Sequence, residues 1–328
     1  MGFLGRRIFD DRPVFSPELG CQVVPAPGMG NGNWSGGCSA LYDSSTKRFY
    51  LCYRVRTPGT RGGICRIAES VDGRQFETIW ETSREVFDSP SIEKSSLFLT
   101  QEGVARLYVS YVEGCSNRWQ IDLLEATSWT SLDPSERVPI LTPEQCGNQG
   151  VKDPVVVQVG QEYLLFANYA PCPPDGKQES LERMHAEGNA FVSGVVNTGS
   201  GLATSRDGVR FKWQGPVLDP GTGWDAFMAR IVAVIRTPLV FTVFYDGRPD
   251  VAASYEDKCG IAVSQDLRRI VKLSDDAPVL SSPEGTGCVR YLSAVPVGDE
   301  IYYYYEYALG DGSHELRMHM VKKGDGHV

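Results

Sequence analysis

Three acidic residues stand at or near the starts of apolar segments, where a carboxylate is unusual. Glu93, Asp153 and Asp225 are each followed by a run of hydrophobic residues that is typical of a β-strand. If these strand starts meet in the fold, one carboxylic acid can donate a proton while a second carboxylate accepts one or attacks carbon. We therefore predict that Asp153 and Glu93 form an acid–base pair, with Asp225 as a third carboxylate.

Basic and aromatic residues accompany these acids. Arg230 and Arg290 interrupt apolar strands, where an arginine is costly unless it meets a carboxylate or a ligand. We predict that both orient a substrate. The other candidates for substrate contacts are Arg54, Trp34, Trp224, Asp246, Glu306 and His314. Each of these residues could instead have a structural role, and for a lone histidine such as His314 a structural role is the more typical one.

The segments that carry these residues belong to a repeat. Ser-x-Asp-Gly turns at Asp72 and Asp207, and a weaker copy at Asp266, each follow an apolar strand. Asp-Gly between two alternating apolar runs predicts a hairpin, because glycine takes the positive φ that the turn requires. Five times along the chain, a run that starts polar and turns apolar is followed by an aromatic strand and then a third strand.

A recurring Pro-Val-Leu-like element supplies the fourth strand of a set. It appears at residues 138–143, 215–220 and 277–283, and residues 22–27 resemble it. The fifth set ends after its third strand, so we predict that the N-terminal segment closes the last blade. The expected fold is all-β, a five-bladed β-propeller in which residues 1–328 form a single domain.

The propeller topology predicts where a ligand binds. The inner-strand starts, and the loops that return to them, meet at the mouth of the central channel, which is the expected ligand site. Residues 170–200 form an insertion on the same face, and within it residues 178–187 are compatible with a helix. We expect this insertion to act as a lid over the channel mouth.

Composition argues against several classes of partner. The chain has 328 residues and a formal net charge of −9, which argues against nucleic acid. No window approaches the roughly 18 apolar residues of a membrane helix, and the start lacks the apolar region of a signal peptide. We expect a cytoplasmic protein with a small-molecule substrate and no membrane partner. The nine cysteines are scattered like buried thiols, so we expect no cofactor, with an axial Ca²⁺ as an open alternative.

Several motifs together resemble a known group of enzymes. Lys-Asp-Pro at 152–154 opens an inner strand, residues 201–211 close that blade, Gly-Trp-Asp follows at 223–225, and the last blade combines Arg-Tyr at 290–291 with residues 304–317. This pattern is similar to the five-bladed propeller glycoside hydrolases of family 43 and the family 130-like group, which include arabinofuranosidases, xylosidases and mannoside phosphorylases. The resemblance implies a site at the channel mouth that processes a furanoside or pyranoside, with acids from the first three blades.

One position departs from that pattern. In family 43 the first inner strand starts with the aspartate that acts as base, whereas residues 33–37 read Asn-Trp-Ser-Gly-Gly. A non-hydrolytic propeller that has lost this acid, either a ligand-binding protein or a biosynthetic cyclase or dehydratase, is therefore the first alternative. A sialidase-like enzyme is the second, because Ser-x-Asp-Gly-x-x-Phe resembles the Asp-box turn. Against it, that family has six blades and a residue between the Asp and the Gly of the box.

Overall fold

The chain is built almost entirely from short antiparallel strands. A computed structural model of the protein describes residues 14–186, 189–237, 239–274 and 276–322. The start of the chain, on which the prediction of a cytoplasmic protein depends, lies outside these ranges. No helix in the described ranges is both long and apolar enough to span a membrane.

The strands follow the predicted sets. A short first strand is β1 (Cys21–Val24). The first set is β2 (Trp34–Asp43), β3 (Arg48–Thr57), β4 (Thr60–Ser70) and β5 (Glu77–Ser83). The second is β6 (Ile92–Leu99), β7 (Ala105–Glu113), β8 (Arg118–Ala126) and β9 (Val138–Leu141). The third is β10 (Gly150–Val159), β11 (Glu162–Ala170), β12 (Gly199–Ser205) and β13 (Lys212–Leu218). The fourth is β14 (Met228–Arg236), β15 (Phe241–Arg248), β16 (Lys258–Ser264) and β17 (Val271–Lys272). The last is β18 (Val289–Val297), β19 (Glu300–Ala308) and β20 (His314–Lys322).

Helices are few and short in the described ranges. Two α-helices are α1 (Pro143–Cys146) and α2 (Gln178–His185), and the 3₁₀ helices are Pro17–Leu19, Trp129–Ser131, Pro134–Glu136 and Ala190–Val192. Helix α2 lies where the sequence is helix-compatible, although Glu187 at the end of that predicted segment is outside the described residues.

The sheets follow chain order. The second, third and fourth sets each form a four-stranded sheet, β6–β9, β10–β13 and β14–β17. The first and last sets are joined into one eight-stranded sheet by parallel pairing of Trp34 with His314. Strand β1 pairs antiparallel with β20, with Cys21 opposite Met318. The N-terminal segment therefore adds a strand to the last set, as predicted.

The first strands of the sets surround a common centre. Strand β2 contacts β6, β6 contacts β10, β10 contacts β14, β14 contacts β18, and β18 contacts β2. The core lies between neighbouring sheets, where for example Phe244 of β15 and Tyr303 of β19 are both fully buried with ring centroids 5.9 Å apart. Contacts of this kind bury the aromatic strands on both faces, which explains their nearly continuous apolar sequences.

The Ser-x-Asp turns share one hydrogen-bond pattern. In the copy at Asp207, Ser205 Oγ accepts from the Gly208 amide at 3.0 Å, and Asp207 Oδ1 accepts from the amides of Val209 and Arg210. The weaker copy has the same pattern, with Leu267 held at φ 59° where the other turns have glycine. The polar residues of the motif are thus sufficient to set this turn.

One predicted strand is displaced. The fourth strand of the fourth set is Val271–Lys272 rather than residues 277–283, of which Leu280 forms only an isolated bridge with Cys259. The Pro-Val-Leu element still reaches β16 there, but it continues the ladder for a single residue.

Gly208 provides a test of the turn. An alanine there pays the cost of a positive φ, and its Cβ also clashes with the Arg106 guanidinium and lies 2.9 Å from the Tyr163 ring. Gly160 has a similar φ of 61° with nothing within 4 Å. We expect Gly208→Ala to lower the free energy of unfolding by about 2–4 kcal/mol and Gly160→Ala by about 1 kcal/mol, measured by urea denaturation. Equal losses would contradict the close packing of this turn.

Candidate active site

Each inner strand carries a β-bulge near its start. The pairing registers shift between Gly36 and Ser39, Ile92 and Ser95, Lys152 and Val155, Ile231 and Ala233, and Arg290 and Ser293. Two residues in these bulges, Asp153 and Tyr291, have φ of 56° and 52°, a conformation that costs of order 1–3 kcal/mol outside glycine. Because a bulge re-aims side chains, the repeated irregularity turns polar residues of the inner strands toward one centre.

Arg230 joins three carboxylates at that centre. Its Nη1 donates to Asp153 Oδ2 at 3.0 Å, and its Nη2 donates to Asp246 Oδ2 at 2.6 Å and Asp257 Oδ2 at 2.9 Å. Nη1 also donates to the Tyr291 hydroxyl at 3.1 Å. Burial would lower the pKa of Arg230, but Tyr291 and the three carboxylates raise it well above its usual range. Arg230 therefore stays protonated at every ordinary pH and is the shared cation of the three carboxylates.

Glu306 is the centre of a second group of ion pairs. Its Oε1 accepts from Arg290 Nη2 at 2.6 Å, and it lies 2.7 Å from His314 Nδ1. Its Oε2 lies 3.4 Å from Arg54 Nη2, and Arg54 Nε donates to Glu93 Oε2 at 3.0 Å. Arg290 Nη1 lies 3.7 Å from Asp257 in the first group, so the two groups form one buried network.

Two carboxyl groups of this network differ in protonation. Burial would raise the pKa of Glu93, but Arg54, Lys152 and Arg56 hold it at about 2. Burial raises the pKa of Asp246 to about 6, although Arg230 opposes the shift. Glu93 is therefore ionised at all ordinary pH values, whereas Asp246 exchanges a proton near neutrality.

The network encloses a small cavity. Its volume is about 20 Å³, which is room for about one water molecule. The residues that line it are Arg54, Glu93, Lys152, Asn168, Asn189, Phe191, Val192, Met228, Arg230, Arg248, Tyr255, Asp257, Arg290 and Tyr291. Three of these, Asn189, Phe191 and Val192, come from the 170–200 insertion, so the insertion forms one wall.

Several buried polar atoms around the cavity have no hydrogen-bond partner among the described residues. They are Asn168 Nδ2 and Oδ1, Asn189 Oδ1, Asp153 Oδ1, Asp246 Oδ1, Arg230 Nε and Arg248 Nε. Leaving one such atom unsatisfied costs about 1–3 kcal/mol, and native proteins contain few of them. Their concentration around one cavity is what a site for a polar ligand requires.

The structure brings most of the predicted site residues together. The network or the cavity wall contains Glu93, Asp153, Arg54, Arg230, Arg290, Asp246, Glu306 and His314. Trp34 is adjacent but 3% exposed, with its ring stacked 4.7 Å from His314 and the Arg290 guanidinium 5.2 Å from its centre. It therefore packs behind the site instead of standing at its rim.

Asp225 and Trp224 lie elsewhere, which corrects their predicted place at the channel mouth. Asp225 pairs with Lys272 of β17, and Trp224 packs against Tyr245 and donates Nε1–H to the Ser274 carbonyl at 2.6 Å. Both contacts hold the turn before β14 against the outer strand of its own set. Lys272 on the outer strand therefore pairs with Asp225, whose position in the sequence had predicted a place at the channel mouth.

Sequence analysis missed two members of the network. Asp257 lies just before β16 in an irregular segment, where neither apolar alternation nor a turn motif marks it. Tyr291 looks like an ordinary strand aromatic, and only its bulge conformation turns its hydroxyl toward Arg230. The one available signal for Asp257 was its place in a loop between the second and third strands of a set.

One cluster of residues has the composition of a metal site. The ligand atoms of Glu256, Cys288 and His314 all lie within 4.8 Å of one another. Thiolate, imidazole and carboxylate ligands suit Zn²⁺, whereas Ca²⁺ takes oxygen ligands alone.

Comparison with known proteins agrees on the fold. No protein-family model matches the chain, and no curated protein matches it in sequence. A structure described as a complex of BT0996 and RGII is similar over 97% of this chain and 94% of its own, with a TM-score of 0.71 and 14% identity. β-1,2-Mannobiose phosphorylase from Listeria innocua, in complex with β-1,2-mannobiose, is similar over 96% of both chains, with a TM-score of 0.60 and 14% identity. A GH130 protein, from a study of mannoside phosphorylases and glycoside hydrolases that target β-1,2-mannosidic linkages, covers 93% of both chains at a TM-score of 0.62 and 15% identity. The fold is therefore that of the glycoside hydrolase-like propellers.

The buried node at Arg230 predicts a large loss of stability on its removal. Arg230→Met leaves Asp153, Asp246 and Asp257 without their shared cation, and we expect a loss of about 3–5 kcal/mol in the free energy of unfolding. Arg210→Met is the matched control, because the Arg210 side chain is 89% exposed and its pair with Asp207 contributes less than about 1 kcal/mol. Urea denaturation measures both, and similar losses would contradict the central role of Arg230.

The raised pKa of Asp246 predicts a pH dependence of stability. Its carboxyl titrates near 6 in the folded protein and at its ordinary 3.8 when unfolded. Its contribution to stability is therefore full below about pH 4 and is lost as the pH rises through 6, by about 3 kcal/mol at about 1.4 kcal/mol per pH unit. Asp246→Asn cannot titrate, so its stability relative to the parent should rise by that amount over this range in thermal or urea unfolding. A pH-independent difference would show that the pKa of Asp246 is the same in the folded and unfolded protein.

Proposed function

We propose that this protein is an enzyme that acts on a small glycoside at the channel mouth of a five-bladed propeller, using carboxylate acid–base catalysis. The observation that carries the proposal is a small cavity at the inner-strand starts, beside which Glu93 and Asp153 of adjacent inner strands belong to one buried network. The fold of the glycoside hydrolase-like propellers supports it.

The five-bladed arrangement is part of the proposal. It is supported by the four-stranded pattern of each set, by the pairing of β1 with β20, and by the closed cycle of contacts among β2, β6, β10, β14 and β18. With a single ring, residues 1–328 form one domain and the 170–200 insertion is a loop of its third blade.

Glu93 and Asp153 take different parts in the proposed chemistry. Glu93 lines the cavity and stays ionised, so it accepts a proton from the attacking water or attacks the anomeric carbon itself. Asp153 is the proposed proton donor to the leaving glycosidic oxygen, through Oδ1, which has no partner among the described residues. Because Asp153 is paired with Arg230 as a carboxylate, it must take up a proton from solvent before each cleavage step. Asp246 shares Arg230 with Asp153 and acts as a positioning residue. In this assignment Glu93 replaces the acid absent from the first inner strand.

We also propose that the insertion moves when the substrate binds. The cavity is too small for a sugar in the described conformation, and Asn189, Phe191 and Val192 close one side of it. Phe191 is held by packing with Trp119 and Met184 and by one hydrogen bond from Arg248 Nη2 to its carbonyl, and not by an ion pair. The wall can therefore open without breaking the buried ion pairs at Arg230.

One observation favours a second candidate, a non-hydrolytic ligand-binding or biosynthetic propeller. At the start of the first inner strand, the Gly37 amide donates to Glu306 Oε2 at 3.2 Å, and an alanine Cβ at Gly36 would overlap the Glu306 carboxylate. No acidic side chain fits at this place. A protein that has exchanged the first-blade acid for a buried Glu306 network can retain the fold for another reaction.

A substrate screen tests the proposal. Purified protein is assayed on chromogenic arabinofuranosides, xylosides, galactosides, mannosides and sialosides, with and without inorganic phosphate. We expect release of the chromophore from at least one of them, with Glu93→Gln and Asp153→Asn each lowering kcat/KM by about 100-fold or more.

Asp122→Asn is the control for this screen. Asp122 is a buried carboxylate of β8 that accepts from the Tyr111 hydroxyl at 2.9 Å, outside the cavity wall. Its substitution should leave kcat/KM within about threefold of the parent value. A folded protein that releases nothing from any glycoside, in either buffer, would contradict glycoside cleavage and favour the non-hydrolytic candidate.

A further inference from the structure

We infer that the ligand of this cavity carries a carboxylate, which makes the substrate class an acidic sugar such as a uronate. The inference deepens the proposed function and rests on it for the sugar part of the ligand. The carboxylate of the ligand does not depend on that proposal, because it follows from the charges and the unpartnered hydrogen-bond donors of the cavity wall.

The wall is rich in basic side chains. It contains five of them, Arg54, Lys152, Arg230, Arg248 and Arg290, against two carboxylates, Glu93 and Asp257. This excess is opposite in sign to the protein as a whole, whose formal net charge is −9. A cation-rich cavity in an acidic protein favours an anionic ligand.

Most of these cations are already neutralised by carboxylates. Arg54, Arg230, Arg248 and Arg290 each lie within 3.1 Å of a carboxylate oxygen. Lys152 differs, because its Nζ lies 3.6 Å from Asp153 Oδ2, an atom that already accepts from Arg230. The Lys152 ammonium instead lies 4.6 Å from the centre of the Trp119 ring and 5.3 Å from that of Phe191. It is a buried cation with room for a better anionic partner.

Two further donors line the same cavity. Asn168 stands opposite Lys152 in the β10–β11 register, and both polar atoms of its buried amide lack a partner among the described residues. Arg248 donates Nη1 to Asp257 at 3.1 Å and Nη2 to the Phe191 carbonyl at 2.8 Å, which leaves Nε free. Lys152 thus lies against the ring of Phe191, and Arg248 binds its backbone carbonyl. An oxyanion between them would satisfy the ammonium, the amide and the guanidinium together.

The number of cations without a close anionic partner favours a monoanion. Of the five basic side chains in the wall, four lie within 3.1 Å of a carboxylate oxygen, whereas the Lys152 ammonium is 3.6 Å from its carboxylate neighbour. One carboxylate from the ligand would pair with that ammonium. A phosphate dianion would bring a second buried negative charge with no further cation to meet it, which is unfavourable in a region of low dielectric constant. The remaining amide oxygen of Asn168 is suited to a sugar hydroxyl.

Binding measurements with matched acid and amide ligands test the inference. D-Glucuronate and D-galacturonate are compared with their neutral amides and with inorganic phosphate, by calorimetry and thermal shift on the full chain. We expect at least one uronate to bind ten-fold or more tightly than its amide. Lys152→Met should remove that preference, and Lys212→Met, on the exposed face of β13, should keep it.

Each outcome decides the point. The inference is overturned if no uronate binds, if an amide binds as well as its acid, if Lys152→Met keeps the preference, or if phosphate binds in place of the uronates. Acid-selective binding without cleavage of any glycoside would support this inference and contradict the proposed glycosidase. Cleavage of neutral glycosides without acid-selective binding would support the proposed glycosidase and contradict this inference.

Discussion

A buried guanidinium must be surrounded by acceptors, and the arrangement of this protein depends on how that requirement is met at Arg230. Arg230 lies on β14, and its acceptors come from β10 (Asp153), β15 (Asp246), the segment before β16 (Asp257) and β18 (Tyr291). Three consecutive sets of strands therefore share one ion-pair node. Because removing any partner leaves a buried charge uncompensated, the same contacts that fix the relative positions of the sets also assemble the candidate site.

The local part of the fold was predictable because its signals are local. Alternating apolar strands and Ser-x-Asp turns depend on residues close in sequence, and even Leu267, without the glycine, takes the conformation of the motif. The two-residue strand Val271–Lys272 was not predictable, since so short a segment has no periodicity of its own. The Pro-Val-Leu element nearby has the stronger sequence signal, although only Leu280 of it pairs with β16.

The site was predictable as a region but not residue by residue. The rule that inner-strand starts face the channel found Glu93, Asp153, Arg230 and Arg290, because topology alone decides it. The same rule does not place Asp225 in the network, since Asp225 pairs with Lys272 on the outer strand of the same sheet. Which side chains turn inward also depends on the bulges, where a shift of one residue reverses the face. Nothing in the sequence marks a bulge at Tyr291, so its hydroxyl contact with Arg230 could not be anticipated.

The strain, the unsatisfied atoms and the surplus of positive charge occur at the same place, and that coincidence has a physical reason. A cavity prepared for a charged ligand must keep its donors oriented before the ligand arrives, which leaves some of them without partners and requires the surrounding network to hold them. Arg248 illustrates this: Asp257 and the Phe191 carbonyl fix its guanidinium, while Nε remains available. Since Phe191 belongs to the insertion, an opening of the wall would also release one support of Arg248. If the insertion moves as proposed, access of a ligand and the orientation of Arg248 are coupled through the hydrogen bond from Arg248 Nη2 to the Phe191 carbonyl.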